Sequence, residues 1–325
     1  MKPKEILVFG ASGQIWRHLI RKLTKNNYKV IAVTRNIHQK GYILKTQANP
    51  GYLEIVELNY FNIERIDSLL EQCSVCINLI GILYENKKNS FKKIHTNLPD
   101  LLSKLSAKNN IEKFIHLSSL GIEKSIDSNY ASSKLEGENK IKNNFERSVI
   151  LKPSVVYSVD DNFTTNFMTL LSRLPIMPIY YNGKTKFLPI HVTDLVEIIF
   201  GVVQGKLNEQ TIECIGPEVF SFKEIILKLL KAIDKKRLLI PLPLSIAKLT
   251  AKIFEIMPNP LITVDQIKLL KYDNIPSGKY KTNFELDLNS KKMFDEEIEK
   301  YSFNWRTGGQ YSRTKISRIE KWWAI

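Results

Sequence analysis

A tyrosine and a lysine four residues apart, Tyr130 and Lys134, form the pair in the sequence with the clearest chemical potential. Four residues is just over one helical turn, so in a helix both side chains lie on one face. A nearby ammonium group stabilises an ionised phenol, which lets a tyrosine donate or accept a proton near neutral pH. The spacing therefore predicts an acid–base pair; the alternative is an amphipathic helix with an incidental tyrosine.

Position in the chain separates this pair from others at the same spacing. The other pairs are Tyr84/Lys88, Tyr180/Lys184 and Tyr311/Lys315. Tyr130 follows the apolar run Phe114–Leu117, which predicts a buried strand that ends at Ser118 and Ser119. Ligands of parallel sheets bind at the carboxyl ends of strands. We therefore expect Ser119 to hydrogen-bond a substrate carbonyl while Tyr130 transfers a proton.

The elements that must position these residues alternate between strands and helices. Predicted strands are Ile6–Phe9, Val30–Val33, Leu53–Leu58, Val75–Ile80, Phe114–Leu117 and one that begins at Val149–Leu151, with helical apolar spacing at 15–23, 63–70 and 91–105. This alternation predicts an α/β fold, a Rossmann doubly wound parallel sheet with a smaller, mostly helical C-terminal lobe. The predicted domains are residues 1–156, which hold the sheet, and 157–325, a substrate or partner lobe interleaved with the sheet and followed by a tail.

A glycine turn, Gly10-Ala-Ser-Gly13, joins the first predicted strand to the first helix. Glycines permit a tight turn and let the backbone approach a pyrophosphate, which the N-terminus of the next helix attracts. The turn predicts that residues 1–156 are an NAD(P)-binding domain, with Lys134 holding a ribose of the cofactor. Its first predicted cofactor contacts are Gly10, Ser12, Gly13, Gln14 and Ile15.

The second predicted strand ends at Val33-Thr34-Arg35. An acidic residue here would accept hydrogen bonds from the 2′-hydroxyl of the adenosine ribose, whereas an arginine accommodates a 2′-phosphate. Arg35 therefore favours NADP(H) over NAD(H). The alternative is a surface arginine in contact with solvent.

Together these residues resemble an extended short-chain dehydrogenase/reductase. One atypical branch, the NAD(P)-binding 39-kilodalton accessory subunits of respiratory complex I and their bacterial relatives, carries further segments in the same order. These are Lys152-Pro-Ser-Val-Val-Tyr157, Asp161-Asn-Phe163, Leu174-Pro-Ile-Met-Pro178, Phe187–Leu195, Ile215-Gly-Pro-Glu218, Pro241-Leu-Pro243 and Thr263-Val-Asp-Gln266. The resemblance implies a structurally held NADPH outside the electron path. It implies cofactor positions at Gly10, Ser12, Gly13, Arg35, Asn59, Gly81, Asn97, Tyr130, Lys134 and Pro153.

One position departs from the pattern of this family. The third glycine of G-x-x-G-x-x-G is replaced by Trp16. That glycine normally allows close packing of helix and strand. The indole must displace the helix, turn outward or project toward the pyrophosphate, and core packing in a slightly shifted helix is the preferred interpretation.

Composition limits the other classes of function. The net charge of +15 comes from scattered lysines, with no basic run interleaved with aromatics, so we expect no nucleic-acid partner. Three cysteines and no clustered histidines predict neither a disulfide framework nor a metal site.

The start of the chain lacks a signal-like segment, and no run reaches the ~18 apolar residues of a spanning helix. We expect a bacterial cytoplasmic protein that is peripheral to the inner membrane. The segment Leu244–Ile256, with two lysines, fits either a membrane interface or a lobe helix.

Three functions remain open from the sequence. The first is an NAD(P)H-binding accessory or assembly factor linked to NADH:ubiquinone oxidoreductase (complex I) or to ubiquinone biosynthesis. The second is an active NADPH-dependent reductase or epimerase for a lipid-like or quinone-like substrate, with Ser119, Tyr130 and Lys134 as catalytic residues. The third is a membrane-surface scaffold that uses the basic charge and the tail at Lys321-Trp-Trp323. No motif in the lobe identifies a substrate.

Overall fold

Short apolar segments form the strands, and longer segments with helical spacing form the helices between them. The computed structural model describes residues 5–10, 13–207, 209–255, 260 and 262–309. In chain order its elements are β1 (Glu5–Phe9), α1 (Gln14–Lys25), β2 (Lys29–Thr34), α2 (Ile37–Lys45), β3 (Leu53–Glu57), α3 (Ile63–Glu71), β4 (Val75–Asn78), a π-helix (Lys92–Asn97), α4 (Leu98–Lys108), β5 (Lys113–Leu117), α5 (Asn129–Asn144) and β6 (Ser148–Pro153). Then follow β7 (Val156–Tyr157), α6 (Thr164–Arg173), β8 (Ile176–Ile179), a 3₁₀ turn (Tyr180–Gly183), β9 (Lys186–Phe187), β10 (Ile190–His191), α7 (Val192–Val203), β11 (Thr211–Cys214), β12 (Phe220–Ser221), α8 (Phe222–Ala232), β13 (Leu238–Pro241), α9 (Leu244–Phe254), α10 (Val264–Leu269), α11 (Phe294–Ser302) and a second 3₁₀ turn (Phe303–Trp305).

Seven strands form one sheet, in the order β11-β6-β5-β4-β1-β2-β3, and every neighbouring pair is parallel. The chain runs outward from β1 to β3, returns to β4 beside β1, and then runs outward to β6. The strand order therefore reverses between β1 and β4, and a crevice opens at the carboxyl ends of such strands. The predicted Rossmann doubly wound sheet is confirmed.

Helices cover both faces of the sheet, as strands buried on both sides require. Successive side chains of β1 alternate between two apolar clusters. Ile6 and Val8 belong to the cluster that also holds residues of α1 and α7. Leu7 and Phe9 belong to the cluster that holds residues of α3, α4 and α5. All four of these β1 side chains are fully buried.

Residues beyond 157 contribute to the sheet as well as to the smaller, helical part. α7 packs on the same face as α1, and β11 pairs with β6 at the edge. A separate apolar cluster, centred on Tyr157, Phe222 and Phe294, joins α6, α8 and α11. Within the described ranges, every helix is too short or too polar to span a bilayer. The tail after residue 309 lies outside them.

A π-helix interrupts the long predicted helix at 91–105 and continues directly into α4. α5 crosses it at Gly137, where an added Cβ would overlap the carbonyl of His95. Only glycine permits this approach. Thr96 on the π-helix donates a hydrogen bond to the carbonyl of Ser133 on α5, at 2.9 Å. The close crossing brings the π-helix against the first turns of α5, where Tyr130 and Lys134 lie.

Candidate cofactor and active site

The turn between β1 and α1, where the sequence predicts a pyrophosphate cradle, is described at its two ends, Gly10 and Gly13. Gly10 has φ +91°, and an added Cβ would lie 3.1 Å from the backbone nitrogen of Ile80. The Gly13 N–H donates to the Gly10 carbonyl at 3.2 Å. Among the described residues, no side chain caps the N-terminus of α1 at Gly13. Such an N-terminus favours an anion. The predicted contact Ser12 lies outside the described residues.

The two residues that follow the turn differ in their surroundings. Gln14 begins α1, and its Nε2 donates to Ser158 Oγ at 3.0 Å. One turn later, Arg17 forms an ion pair with Asp160. The loop after β7 is therefore attached to the start of α1. Ile15 is half-buried and packs on the core beneath the turn.

The side chain of Trp16 packs in the core between α1 and the sheet. Its side chain is only 3% exposed and belongs to the same apolar cluster as Ile6, Val8 and Leu195. The indole Nε1 is buried without a hydrogen-bond partner among the described residues. Of the arrangements open from the sequence, core packing is the one observed. The indole Cδ1 also lies 3.9 Å from the position of an added Cβ on Gly13, so the ring packs close to the end of the turn.

A cationic cavity of about 380 Å³ lies beside the end of β2. Arg35 is exposed there; its guanidinium carbon lies 5.1 Å from the Tyr60 ring centroid, and Nη1 donates to Asn89 Oδ1 at 3.3 Å. Burial raises the pKa of Tyr60, an effect that the Arg35 charge opposes. The cavity is also lined by Asn59, Lys88 and Lys93. Both lysines belong to the segment after β4, and folding brings them close to Arg35 at the end of β2.

Tyr130 and Lys134 lie in the first turns of α5 and face the carboxyl ends of β4 and β5. Lys134 is almost fully buried; its Nζ lies 5.4 Å from the Tyr130 ring centroid and donates to the Leu117 carbonyl at 3.3 Å. An added Cβ on Gly81, after β4, would lie 3.9 Å from that Nζ. The structure thus brings Gly81, Tyr130 and Lys134 together. The Tyr130 hydroxyl makes no hydrogen bond to another described residue.

The two serines after β5, Ser118 and Ser119, differ in whether their hydroxyls are hydrogen-bonded within the described chain. Ser118 is buried and its hydroxyl donates to Glu138, which also pairs with the buried Lys152 at 3.0 Å. Ser119 is half-buried, and across the described chain its hydroxyl makes no hydrogen bond. Its hydroxyl is consequently free for a ligand, whereas that of Ser118 is not. Burial lowers the pKa of Lys152, but the charges of Glu138 and Glu123 raise it above its ordinary value overall.

His95 is a site residue that the sequence analysis missed. Its Nε2 accepts the Ile82 N–H at 3.1 Å, and its Nδ1 lies 3.1 Å from Ser133 Oγ. The ring also packs edge-on against Tyr130, with centroids 5.1 Å apart. Burial and the charge of Lys134 lower the pKa of His95 to about 2. His95 is therefore a neutral imidazole that packs against Tyr130. Because its Nε2 accepts a hydrogen bond, the ring proton is assigned to Nδ1.

Asp265 of α10 is a second residue that was missed as part of the site. It accepts hydrogen bonds from Ser128 Oγ at 2.7 Å, the Asn129 N–H at 2.8 Å and the Tyr130 N–H at 3.0 Å. A carboxylate at a helix N-terminus satisfies free N–H groups and is stabilised by the helix dipole. The helical part of the chain thereby holds the start of α5 in place.

The other predicted positions lie at the ends of strands or helices. Asn59 is exposed after β3, and its side chain accepts the Phe61 N–H at 3.2 Å. Asn97 is exposed at the junction of the π-helix and α4. Pro153 ends β6, and its carbonyl accepts the Leu120 N–H at 2.9 Å. Among the residues that the structure describes, no group of three or more potential metal ligands occurs.

Residues 6–214 match the NAD dependent epimerase/dehydratase family. NADH dehydrogenase (ubiquinone) 1 alpha subcomplex subunit 9, mitochondrial, of Arabidopsis thaliana is 26% identical over 322 residues, covering 95% of this chain and 80% of that protein. Ceramide reductase of Caulobacter vibrioides is 24% identical over 191 residues, covering 58% of this chain and 57% of that protein. UDP-glucuronic acid 4-epimerase from Bacillus cereus, solved in complex with NAD, has a TM-score of 0.67 at 19% identity, covering 93% of this chain and 100% of that one.

Proposed function

The chain belongs to the NAD dependent epimerase/dehydratase family, and we propose that it binds NADP(H) and serves as an accessory or assembly subunit of an NADH:ubiquinone oxidoreductase. The observation that supports NADP(H) binding is the cationic cavity beside β2. Similarity to a mitochondrial subunit of that complex over 95% of the chain supports the assembly part.

Each end of the nucleotide has a matching group in the chain. The N-terminus of α1, with no capping side chain among the described residues, suits a pyrophosphate. Gly10 suits the tight turn before it, because a side chain there would clash with the backbone of Leu79 and Ile80. Arg35, Lys88 and Lys93 line one cavity together with a single carboxylate, Glu57, and this excess of cations suits a 2′-phosphate. Lys134 would hold the nicotinamide ribose.

In the accessory role the bound nucleotide stabilises the fold. Ligand binding to the folded state alone stabilises it by mass action. The segments that line the site, including the turn after β1, the π-helix and the start of α5, come from distant parts of the chain. A nucleotide in contact with all of them would hold them in one arrangement that a partner subunit can recognise.

A second candidate, an NADPH-dependent reductase or epimerase, is favoured by the free hydroxyls of Ser119 and Tyr130. The nicotinamide, when bound, supplies or accepts a hydride. Tyr130 would exchange a proton with the substrate oxygen while Ser119 donates a hydrogen bond to the same oxygen. The buried Lys134 ammonium would stabilise the ionised phenol. Similarity to a ceramide reductase supports a lipid-like substrate.

Calorimetric titration with NADPH and NADH tests the nucleotide assignment. We expect NADPH to bind at least tenfold more tightly than NADH, because the 2′-phosphate gains charge-assisted hydrogen bonds. Arg35→Ala and Lys93→Ala should each weaken NADPH binding about tenfold and leave NADH binding nearly unchanged. Arg65→Ala, an exposed arginine on α3, is the matched control. Equal affinity for both nucleotides would overturn the NADP(H) assignment.

Purification of the tagged full chain from gently solubilised native membranes tests the assembly role. The expected result is co-purification of oxidoreductase subunits, and loss of membrane NADH:quinone activity when the chain is deleted. Migration of the chain away from that complex would contradict the accessory role. Turnover of a lipid-like carbonyl compound with NADPH that disappears in Tyr130→Phe would favour the enzyme instead.

A further inference from the structure

The two-stranded ribbon of β8 and β13 presents apolar side chains to solvent. Leu238 pairs with Ile176, and Leu239 pairs with Met177. Met177 and Leu239 pack against the core of the helical part, so the alternate residues point outward. Leu238 is 61% exposed, and Ile176 and Ile240 are exposed beside it. The outer face of a half-buried ribbon is ordinarily polar.

The next helix, α9, also exposes large apolar side chains to solvent. Its inward residues are Ala247 and Ala251, both fully buried. Its outward residues include Leu244, Ile246 and Leu249, of which Leu249 is 62% exposed. A surface helix normally buries its large apolar side chains and exposes polar ones. Large exposed apolar patches mark interaction sites. We define the apolar face as Ile176, Leu238, Ile240, Leu244, Ile246 and Leu249.

Cations accompany this apolar face. From Asp234 to Glu255 the chain carries five cationic residues and only those two anionic ones. Lys236 lies two residues before β13. On α9, Lys248 lies between Ile246 and Leu249, and Lys252 follows Leu249 by three residues. All three are exposed, and none forms an ion pair within the described part of the chain. A surface that covers this face must therefore offer both apolar material and negative charge.

We propose that the apolar face docks onto the surface of an anionic phospholipid bilayer. Its leucines and isoleucines enter the boundary of the acyl chains, while the lysines extend their stems along it and place their ammonium groups at the headgroup phosphates. An apolar groove on a protein would bury the same lysines and remove their hydration. This docking does not depend on the nucleotide and goes beyond the proposed function.

Co-sedimentation of the full chain with lipid vesicles tests the docking. The vesicles contain phosphatidylcholine alone or with about 30 mol % phosphatidylglycerol. We expect binding only to the anionic vesicles, and weaker binding as salt is added. Leu238→Ser and Leu249→Ser should each weaken it about tenfold. Lys248→Gln and Lys252→Gln should each weaken it about fivefold.

Ile63→Ser is the matched control, because Ile63 is, like Leu238 and Leu249, a large exposed aliphatic residue but lies on α3. It should leave vesicle binding unchanged. NADPH titration of every variant checks the fold and keeps this test separate from the nucleotide assignment. Absence of binding to anionic vesicles overturns the proposal. So does binding that ignores lipid charge, or a dimer in solution that Leu249→Ser dissociates without any vesicle binding.

Discussion

Replacement of Trp16 by glycine restores the third glycine of the family pattern and distinguishes core packing from occlusion of the cofactor. The side chain is 3% exposed and lies in the cluster between α1 and the sheet. If the indole supports the core, the substitution costs stability and adds nothing to nucleotide binding. If the indole blocks the cradle, the substitution increases nucleotide affinity.

The expected loss of stability follows from the burial. Truncation of a buried tryptophan to alanine costs about 3–5 kcal/mol, and glycine in a helix adds about 1 kcal/mol. The indole N–H is buried without a described partner, and removing such a donor offsets about 1–3 kcal/mol. The free energy of unfolding should therefore fall by about 3 kcal/mol. A typical domain, whose free energy of unfolding is about 5–15 kcal/mol at roughly 25 °C, remains folded after such a loss.

Urea unfolding followed by NADPH calorimetry measures both quantities on one preparation. We expect a lower urea midpoint for Trp16→Gly and an NADPH affinity within about twofold of the native chain. Trp16→Phe retains a buried ring without the N–H and should change the free energy of unfolding by about 1 kcal/mol or less. An unchanged midpoint together with tenfold tighter NADPH binding would refute core packing as the role of this residue.

Three further predictions follow from the buried groups around the site. Gly10→Ala should lose about 1–3 kcal/mol more than Gly51→Ala in urea unfolding, because both glycines have positive φ but only the first has backbone close to the added Cβ. Lys152→Met should cost about 3–5 kcal/mol by leaving Glu138 buried without its cation, and Glu138→Gln in the same chain should recover part of this; simple additivity of the two losses would contradict the pairing. Burial, followed by the charge of Lys134, lowers the pKa of His116 from 6.5 to about 3. The stability from its neutral form is therefore complete above pH 6.5 and is lost as the pH falls toward 3, at about 1.4 kcal/mol per pH unit. His116→Gln should reduce the slope of the free energy of unfolding against pH, measured between about pH 6 and pH 4.5, by roughly one proton, and an unchanged slope would exclude this histidine as its source.

The central sheet was predictable because its strands are short apolar runs bounded by polar turns. Predicted and observed bounds differ by a residue or two, as at Val75–Asn78, where the prediction extended to Ile80. The strand at Thr211–Cys214 was missed, since four residues that include a glutamate do not form an apolar run. The π-helix was missed because one extra residue per turn leaves no trace in an apolar pattern that continues into α4.

The candidate site was predictable where local chemistry defines it. The turn at Gly10 and the pair Tyr130 and Lys134 have a recognisable order along the chain. His95 and Asp265 do not, because each acts through contacts with α5 that only the folded chain creates. Likewise, a lysine such as Lys93 in a lysine-rich chain has no feature that marks it before the cavity is formed.

The three hydrogen bonds from Asp265 to the start of α5 have a thermodynamic consequence. They couple the placement of α10 to the placement of Tyr130. A nucleotide that contacts Tyr130 in its held position must then also favour α10 in its held position. Linkage is reciprocal, so a ligand or surface that shifts α10 changes nucleotide affinity by the same factor. A nucleotide bound as proposed would therefore influence whatever the helical part of this chain contacts, although no group of the nucleotide reaches that contact.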